Sequence, residues 1–201
     1  MKKIGFNLSS LSIKQAGLRI HITNLFKNLN LVDDCKYYVY VSKDSIDLLD
    51  SNFSDELIFV YLPMSSKSKI IKIFYEQVFI PIHSIINNIN ILHSFDYSAP
   101  IFFPFKKTIT IHDINYIKNP ETFNFFQRII RKILYPLGLK KSIKIFTISK
   151  TIKNEILNTF NYKNLEKKID IIYNGYEHSI KDANFINENN KNEKPYFLSV
   201  G

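Results

Sequence analysis

Short apolar runs alternate with longer segments of helical periodicity along most of this chain. The runs rich in β-branched and aromatic residues are predicted to be strands, and they are Lys2–Leu8, Tyr37–Val41, Glu56–Leu62, Asn90–His93, Lys107–Ile111, Ile143–Ile148 and Lys168–Tyr173. Strands that alternate with helices and read as buried on both faces favour a parallel sheet covered by helices. The predicted fold class is therefore α/β, with a Rossmann-like, doubly wound parallel sheet.

The segments between the predicted strands carry apolar residues at helical spacing. Helices are predicted from Ala16 to about Leu31, from about Ser68 to Ile86 with a kink at Pro81, over Phe126–Leu137 with Pro136–Gly138 as the stop, and from Ser149 or Thr151 to Phe160. The second and third of these have lysines and arginines opposite the apolar stripe, as a membrane-surface helix does. The interpretation we prefer is that each apolar stripe packs on the sheet and each basic face lies in water.

Composition narrows the class of protein. The chain has 201 residues, a net charge of +9, 45% apolar and 14% aromatic residues, which excludes a disordered chain, a collagen and a coiled coil. Cys35 is the single cysteine, so the chain can form no internal disulfide. The cysteine content therefore does not indicate an oxidising compartment. The first residues contain no apolar run of signal-peptide length, and the uncharged stretch Gln77–Phe95 is broken by proline, histidines and asparagines. We expect a cytoplasmic protein, and the basic helices suggest the inner face of the membrane.

The last part of the sequence predicts a domain boundary. Residues 1–177 form the first domain, and residues 178–194 are polar and rich in Asn, Lys and Glu, as a linker is. Residues 195–201 then read as an apolar strand that ends in glycine and has no helix to cover it. We expect this strand to be the first of a second domain in a longer two-domain enzyme.

Polar residues collect where the predicted strands end, and ligands bind at that edge of a doubly wound sheet. Gly17 lies at a predicted helix start, where free N–H groups favour a phosphate, although a plain turn glycine has the same appearance. His112 follows a strand beside Asp113, and His93 ends another strand, positions that suit hydrogen bonding to a developing charge or a purely structural role. No spacing of metal ligands, dinucleotide fingerprint or P-loop is present, so no metal site is predicted.

Six short motifs occur in a fixed order. They are the Gly17-Leu18 helix start after the first strand, ILH at 91–93, TIHD at 110–113, FTIS at 146–149, IIYNG at 171–175 and PYFLSVG at 195–201. Together they cover essentially the whole chain, and their order is more specific than any one of them. The chain resembles the N-terminal half of a family 4 glycosyltransferase of the GT-B fold, of the mannosyltransferase-like kind.

The resemblance implies a function and a set of site residues. The reaction is transfer of a sugar from a nucleotide-sugar to a saccharide or lipid-linked acceptor with retention of configuration, without a metal or other cofactor, in cell-surface polysaccharide synthesis. His112 matches the histidine that faces the transferred sugar and is the candidate catalytic residue, and Gly17 matches the loop near the donor phosphates. The substrate-binding assignments are His93, Asp113, Ser149, Asn174 and Gly175. Because the main donor contacts belong to the family's second domain, we expect these residues alone to give no turnover.

Two other classes of function remain as alternatives. A basic α/β binding module for nucleic acid or an anionic surface is compatible with the charge, but clustered cations with exposed aromatic residues, or a nucleic-acid-binding motif, are not evident. We therefore expect no nucleic-acid partner. A Rossmann-like oxidoreductase is disfavoured by the missing glycine fingerprint.

Overall fold

A computed structural model describes residues 1–11, 16–43, 45, 57–64, 69–96 and 99–175. Within them, one parallel sheet has the strand order β3-β2-β1-β4-β5-β6-β7. The strands are β1 Lys2–Asn7, β2 Cys35–Ser42, β3 Leu57–Leu62, β4 Ile91–Ser94, β5 Lys106–Ile111, β6 Lys144–Thr147 and β7 Ile169–Ile171. The predicted Rossmann-like α/β fold is confirmed. The predicted linker and the strand at 195–201 lie outside the described residues.

Helices connect these strands. They are α1 Ala16–Lys27, α2 Lys69–Phe74, a π-helical turn Tyr75–Phe79, α3 Ile80–Ile86, α4 Asn115–Lys118, a 3-10 turn Pro120–Thr122, α5 Phe125–Lys141, α6 Lys150–Thr159 and α7 Leu165–Lys168. The first helix ends at Lys27, before the predicted Leu31. The irregular turn lies just before Pro81, whose missing N–H interrupts the α-helical ladder where the kink was predicted. No described helix has the length and apolarity needed to cross a bilayer.

The strand register shows which side chains share a face of the sheet, and so which helices cover each face. Gly5 pairs with Leu92, and Leu92 pairs with Lys107, so these three side-chain positions share one face. Helix α3 packs near Leu92, and α5 packs on Ile109, which follows Lys107 on that same face. Helix α1 packs around Val39 on the opposite face. The helices α3 and α5 therefore form one layer, and α1 belongs to the other.

Helix α5 continues beyond its predicted stop. Pro136 lies inside the helix, Gly138 is buried, and the last helical residue is Lys141. Tyr135 and Leu139 are buried in the core against β5 and β6. Burial of two such side chains contributes about 2 kcal/mol each, which offsets the roughly 3 kcal/mol cost of an internal proline. The prediction that Pro136–Gly138 ends the helix is wrong because core packing outweighs the local signal.

Part of the apolar stripe of α2 and α3 faces away from the core. Phe74 is 57% exposed and Ile82 is 52% exposed, whereas Glu76 is fully buried. The Glu76 carboxylate accepts a hydrogen bond from the Ser9 hydroxyl at 2.6 Å, which gives this charge a partner inside the fold. The preferred interpretation, in which the stripe packs on the sheet, holds for Tyr75 and Phe79, which pack against the core, and is wrong for Phe74 and Ile82. It is also wrong for the first half of α5, where Phe126 is 72% exposed.

Two glycines allow a matched test of packing. A Cβ added at Gly5 in the central strand would lie 2.9 Å from Leu92 Cδ1 and 3.3 Å from Ile89 Cγ2, whereas one added at Gly17 would meet no atom within 4 Å. We expect Gly5→Ala to lower the free energy of unfolding by about 1 to 3 kcal/mol through overpacking. Gly17→Ala, in a helix, is expected to leave it unchanged or raise it by up to about 1 kcal/mol. Urea unfolding measures both, and equal effects would contradict the packing at Gly5.

Candidate functional site

A cleft lies at the carboxyl edge of the sheet, beside the point where the direction of the chain reverses. Strand β1 leads outward to β2 on one side, and its neighbour β4 leads to β5 on the other. Such a switch point is where ligands bind in doubly wound sheets. The cleft has a volume of about 460 Å³. Its polar and charged lining residues include Asp96, His112, Asp113, Asn115, Arg131 and Asn174, and Gly17 also borders it.

His112 is positioned by the end of β5, where the strand runs into the cleft. Its Nε2 atom is buried and has no hydrogen-bond partner in the part of the chain that the structure describes. Burial lowers the pKa of His112 to about 4, with a further lowering by His21 that Asp96 and Asp113 oppose. The imidazole is therefore neutral at pH 7, with one nitrogen that carries a hydrogen and one that accepts.

His21 was not identified from the sequence, although it lies against His112. The two imidazole rings are 5.0 Å apart and nearly perpendicular. The side chain of Asn174 hydrogen-bonds His21, which raises the pKa of His21, but burial has the larger effect and lowers it overall. His21 is four residues beyond Gly17 on α1, so both face the cleft side of the helix. That spacing was the available signal, but it does not show how α1 docks.

His93 is held within the sheet by two threonines. Its Nδ1 lies 2.8 Å from Thr108 Oγ1, and its Nε2 lies 3.0 Å from Thr110 Oγ1. Burial lowers the pKa of His93 to about 4, with smaller contributions from His21 and His112. Both ring nitrogens are thus engaged by protein groups, and His93 is not among the described lining residues of the cleft. Its assignment to substrate binding stays a prediction.

The other predicted site residues are placed at the same edge of the sheet with different local roles. Asp113 Oδ1 accepts a hydrogen bond from the backbone N–H of Asn115 at 2.8 Å and so shapes the turn after His112. Ser149 caps the start of α6 by accepting from the Ile152 N–H at 3.2 Å. Asn174 borders the cleft, and Gly175 is the exposed residue that follows it. The structure therefore brings Gly17, His112, Asp113 and Asn174 to one cleft, and it places Ser149 and Gly175 beside that cleft.

Arg131 is a further lining residue that the sequence did not single out. Its guanidinium carbon lies 3.9 Å from the centre of the Phe123 ring and 5.6 Å from that of Tyr135. Stacking on aromatic faces holds a guanidinium while its N–H groups still point outward. Arg131 thus brings a fixed positive charge to the cleft of His112. The periodicity of helix α5 predicts that Arg131 lies in water with the other basic residues.

A polar network beside the cleft links the end of β1 to α2 and the π-helical turn. The Ser9 hydroxyl lies 2.7 Å from Asn7 Oδ1 and 2.6 Å from Glu76 Oε1. Lys72 is 3.7 Å from the Glu76 carboxylate and 4.0 Å from that of Asp96. The network connects the end of β1 to the cleft residue Asp96, so it fixes the position of a charged group at the cleft. Within the described residues, no three His, Cys, Asp or Glu side chains form a group that could hold a metal ion.

Comparison with solved structures identifies the fold class of the chain. Two solved structures match it with the Rossmann-like fold found in GT-B glycosyltransferase N-terminal domains. The apo form of the lipopolysaccharide outer core galactosyltransferase WaaB matches with a TM-score of 0.50 and 13% identity, over 88% of this chain and 46% of that one. The UDP-GlcNAc 2-epimerase from Methanocaldococcus jannaschii matches with a TM-score of 0.51 and 12% identity, over 87% and 46%. The chain thus spans about half of either structure, and these identities show the fold alone.

One curated protein gives a closer sequence relationship. The chain is 34% identical over 95 residues to the O-antigen chain mannosyltransferase RfbU of Salmonella typhimurium (strain LT2). The aligned stretch is 47% of this chain and 24% of the mannosyltransferase. No family model matches the sequence.

Proposed function

We propose that this chain is the acceptor-side domain of a retaining, family 4 glycosyltransferase that acts in cell-surface polysaccharide synthesis. The observation that carries the proposal is the neutral, half-buried His112 imidazole in a cleft at the switch point of the sheet, whose buried Nε2 has no hydrogen-bond partner among the described residues. The 34% identity to a mannosyltransferase supports the same class of reaction. Residues 178–201 are proposed as the linker and the start of the donor-binding domain.

The proposed reaction exchanges one bond for another at the anomeric carbon of the donor sugar. The acceptor hydroxyl oxygen bonds to that carbon, the bond to the nucleoside diphosphate oxygen breaks, and the acceptor proton passes to the leaving diphosphate. His112 hydrogen-bonds an oxygen of the transferred sugar and so holds it in the cleft. Arg131 attracts the charged diphosphate, and Gly17 leaves room for it beside α1. A cytoplasmic setting belongs to this proposal.

The proposal is tested by nucleoside diphosphate release in the natural protein that contains these residues. GDP-mannose, UDP-galactose and UDP-N-acetylglucosamine are supplied separately, each with and without a lipid-linked saccharide extract from the source cells. We expect release with one donor that depends on the extract, persists in EDTA and gives a product with the donor's anomeric configuration by NMR. Release that is absent with every donor, or a free epimerised sugar as product, would overturn the proposal.

A further inference from the structure

His21 connects two residues of the cleft that lie at separate strand ends. It belongs to α1, whereas His112 follows β5 and Asn174 follows β7, and β6 lies between those two strands in the sheet. The ring of His21 contacts the ring of His112, and its side chain is hydrogen-bonded to Asn174. One side chain therefore joins two cleft residues that the sheet keeps apart.

The contact with His112 restricts the orientation of that ring. The two ring centres are 5.0 Å apart and the ring planes meet at 78°, which is the favourable edge-to-face arrangement. The last torsion of a histidine side chain is broad, so the ring turns unless its neighbours restrict it. Because Nε2 of His112 bonds no described residue, packing has to hold that end of the ring. The neighbouring His21 ring supplies such packing.

His21 is itself supported by the core. Its ring centre lies 6.3 Å from that of Phe95, at an angle of 65° between the planes. Phe95 is only 3% exposed and lies 6.4 Å, centre to centre, from the ring of Phe26 on the same helix. Groups in a close-packed core shift little. The position of α1 is therefore passed on through His21 to the two cleft residues.

The second contact holds the segment that follows β7. The Ile172 N–H donates to the Thr147 carbonyl at 2.8 Å, and Asn174 is an exposed residue two positions further on that lines the cleft. Burial lowers the pKa of His21, and the hydrogen bond with Asn174 opposes this effect, as expected where the imidazole N–H donates to the amide oxygen. The bond ties Asn174 to α1 at the edge of the cleft.

The lining of the cleft shows in which way His21 can act. His112 and Asn174 are among the described lining residues, and His21 is not. We infer that His21 is a positioning residue, which sets the orientation of the His112 imidazole and the place of Asn174 for the bound sugar donor. Its effect on sugar transfer rests on the proposed function, whereas the restraint on the His112 ring does not.

A double-mutant cycle in the natural protein that contains these residues tests the effect on sugar transfer. We expect His21→Ala to lower kcat/KM by about tenfold, because a hydrogen-bonding group that is out of place loses much of its effect. In the His112→Ala background the same change is expected to cost about threefold or less, since the imidazole to be oriented is then absent. Equal losses in the two backgrounds would overturn the inference, because a general loss of stability acts in both.

Nuclear magnetic resonance titration of the full chain gives a readout that needs no sugar transfer. Burial lowers the pKa of His112, His21 lowers it further, and Asp96 and Asp113 oppose this. The variant His21→Phe keeps a ring of similar size and removes the charge, while both carboxylates stay in place. We therefore expect His112 to titrate at a higher pH in His21→Phe than in the wild type. An unchanged titration would show that the two rings are not in contact, and would overturn the inference.

Ile20→Ala is the matched control on the same helix. Ile20 directly precedes His21 and is 56% exposed, so its replacement is expected to change neither kcat/KM nor the titration of His112. A change as large as that of His21→Ala would show that α1 is sensitive at any position, which contradicts a specific role for His21. If the wild type releases no nucleoside diphosphate with any donor, the proposed function fails, and the titration of His112 still decides whether His21 restrains the ring.

Discussion

Replacement of His112 by alanine is expected to lower kcat/KM for sugar transfer by about 100-fold or more in the natural protein. The reason is that the His112 Nε2 has no hydrogen-bond partner among the described residues, and in the proposed function it bonds the transferred sugar. Alanine removes that bond and leaves space for water. Because the side chain is only half-buried and Nε2 bonds no described residue, the fold is expected to persist, which circular dichroism checks.

The control for this prediction is a histidine elsewhere in the fold. His83 on α3 hydrogen-bonds the Tyr40 hydroxyl at 3.0 Å and is not among the described residues lining the cleft. His83→Ala is expected to keep kcat/KM within about threefold while lowering stability by about 1 kcal/mol. Comparable losses of activity in both variants would mean that His112 acts through stability and not through the ligand.

The pH profile gives a second readout of the same role. Burial lowers the pKa of His112 to about 4, so the ring stays neutral as the pH falls from 8 to 6. The activity of the wild-type enzyme should therefore show no histidine-like titration with a midpoint between pH 6 and pH 7. A midpoint there that disappears in His112→Ala would show that the ring exchanges a proton at neutral pH, against the neutral hydrogen-bonding role proposed here.

The position of the cleft could be predicted from the sequence because it follows from chain direction. All described strands run parallel, so the residues after β5 and β7 arrive at one edge together with the start of α1. His112, Asn174 and Gly17 meet for that reason. The alternation of apolar runs and helical stripes predicts parallel strands, and parallel strands all end at the same edge of the sheet. The edge that holds the cleft can therefore be predicted without knowing any side-chain contact.

The docking of the helices could not be predicted in the same way. Periodicity identifies an apolar stripe on α2 and α3, but the buried Glu76 of this segment is bonded by Ser9, which is 67 residues away in sequence. His21 and Arg131 were missed for a related reason. Whether a helical residue faces a cleft depends on the rotation of the helix about its axis, and that rotation is decided by contacts distant in sequence.

Lys107 provides the largest expected effect on stability. Its side chain is 2% exposed in β5, and its ammonium donates to the Pro100 carbonyl. Burial, with a smaller contribution from the nearby Lys141, lowers the pKa of Lys107 to about 8. The charged form is thus disfavoured in the fold relative to the unfolded chain. Below pH 8 this costs about 3 kcal/mol, and the cost is relieved as the pH rises towards 10.5, because the folded state then binds fewer protons than the unfolded one.

Lys107→Met removes this titration while keeping the length of the side chain. We expect the stability of the variant relative to the wild type to fall by about 2 kcal/mol between pH 7 and pH 10, as the wild type loses its buried charge. Urea unfolding at both pH values measures the difference, and titrations common to both proteins cancel. Lys106→Met, at the neighbouring exposed position of β5, is the matched control for the loss of one lysine from this strand. A constant difference for Lys107→Met would show that its ammonium reaches water in the folded protein, which would contradict the burial of this side chain beneath the β4–β5 loop.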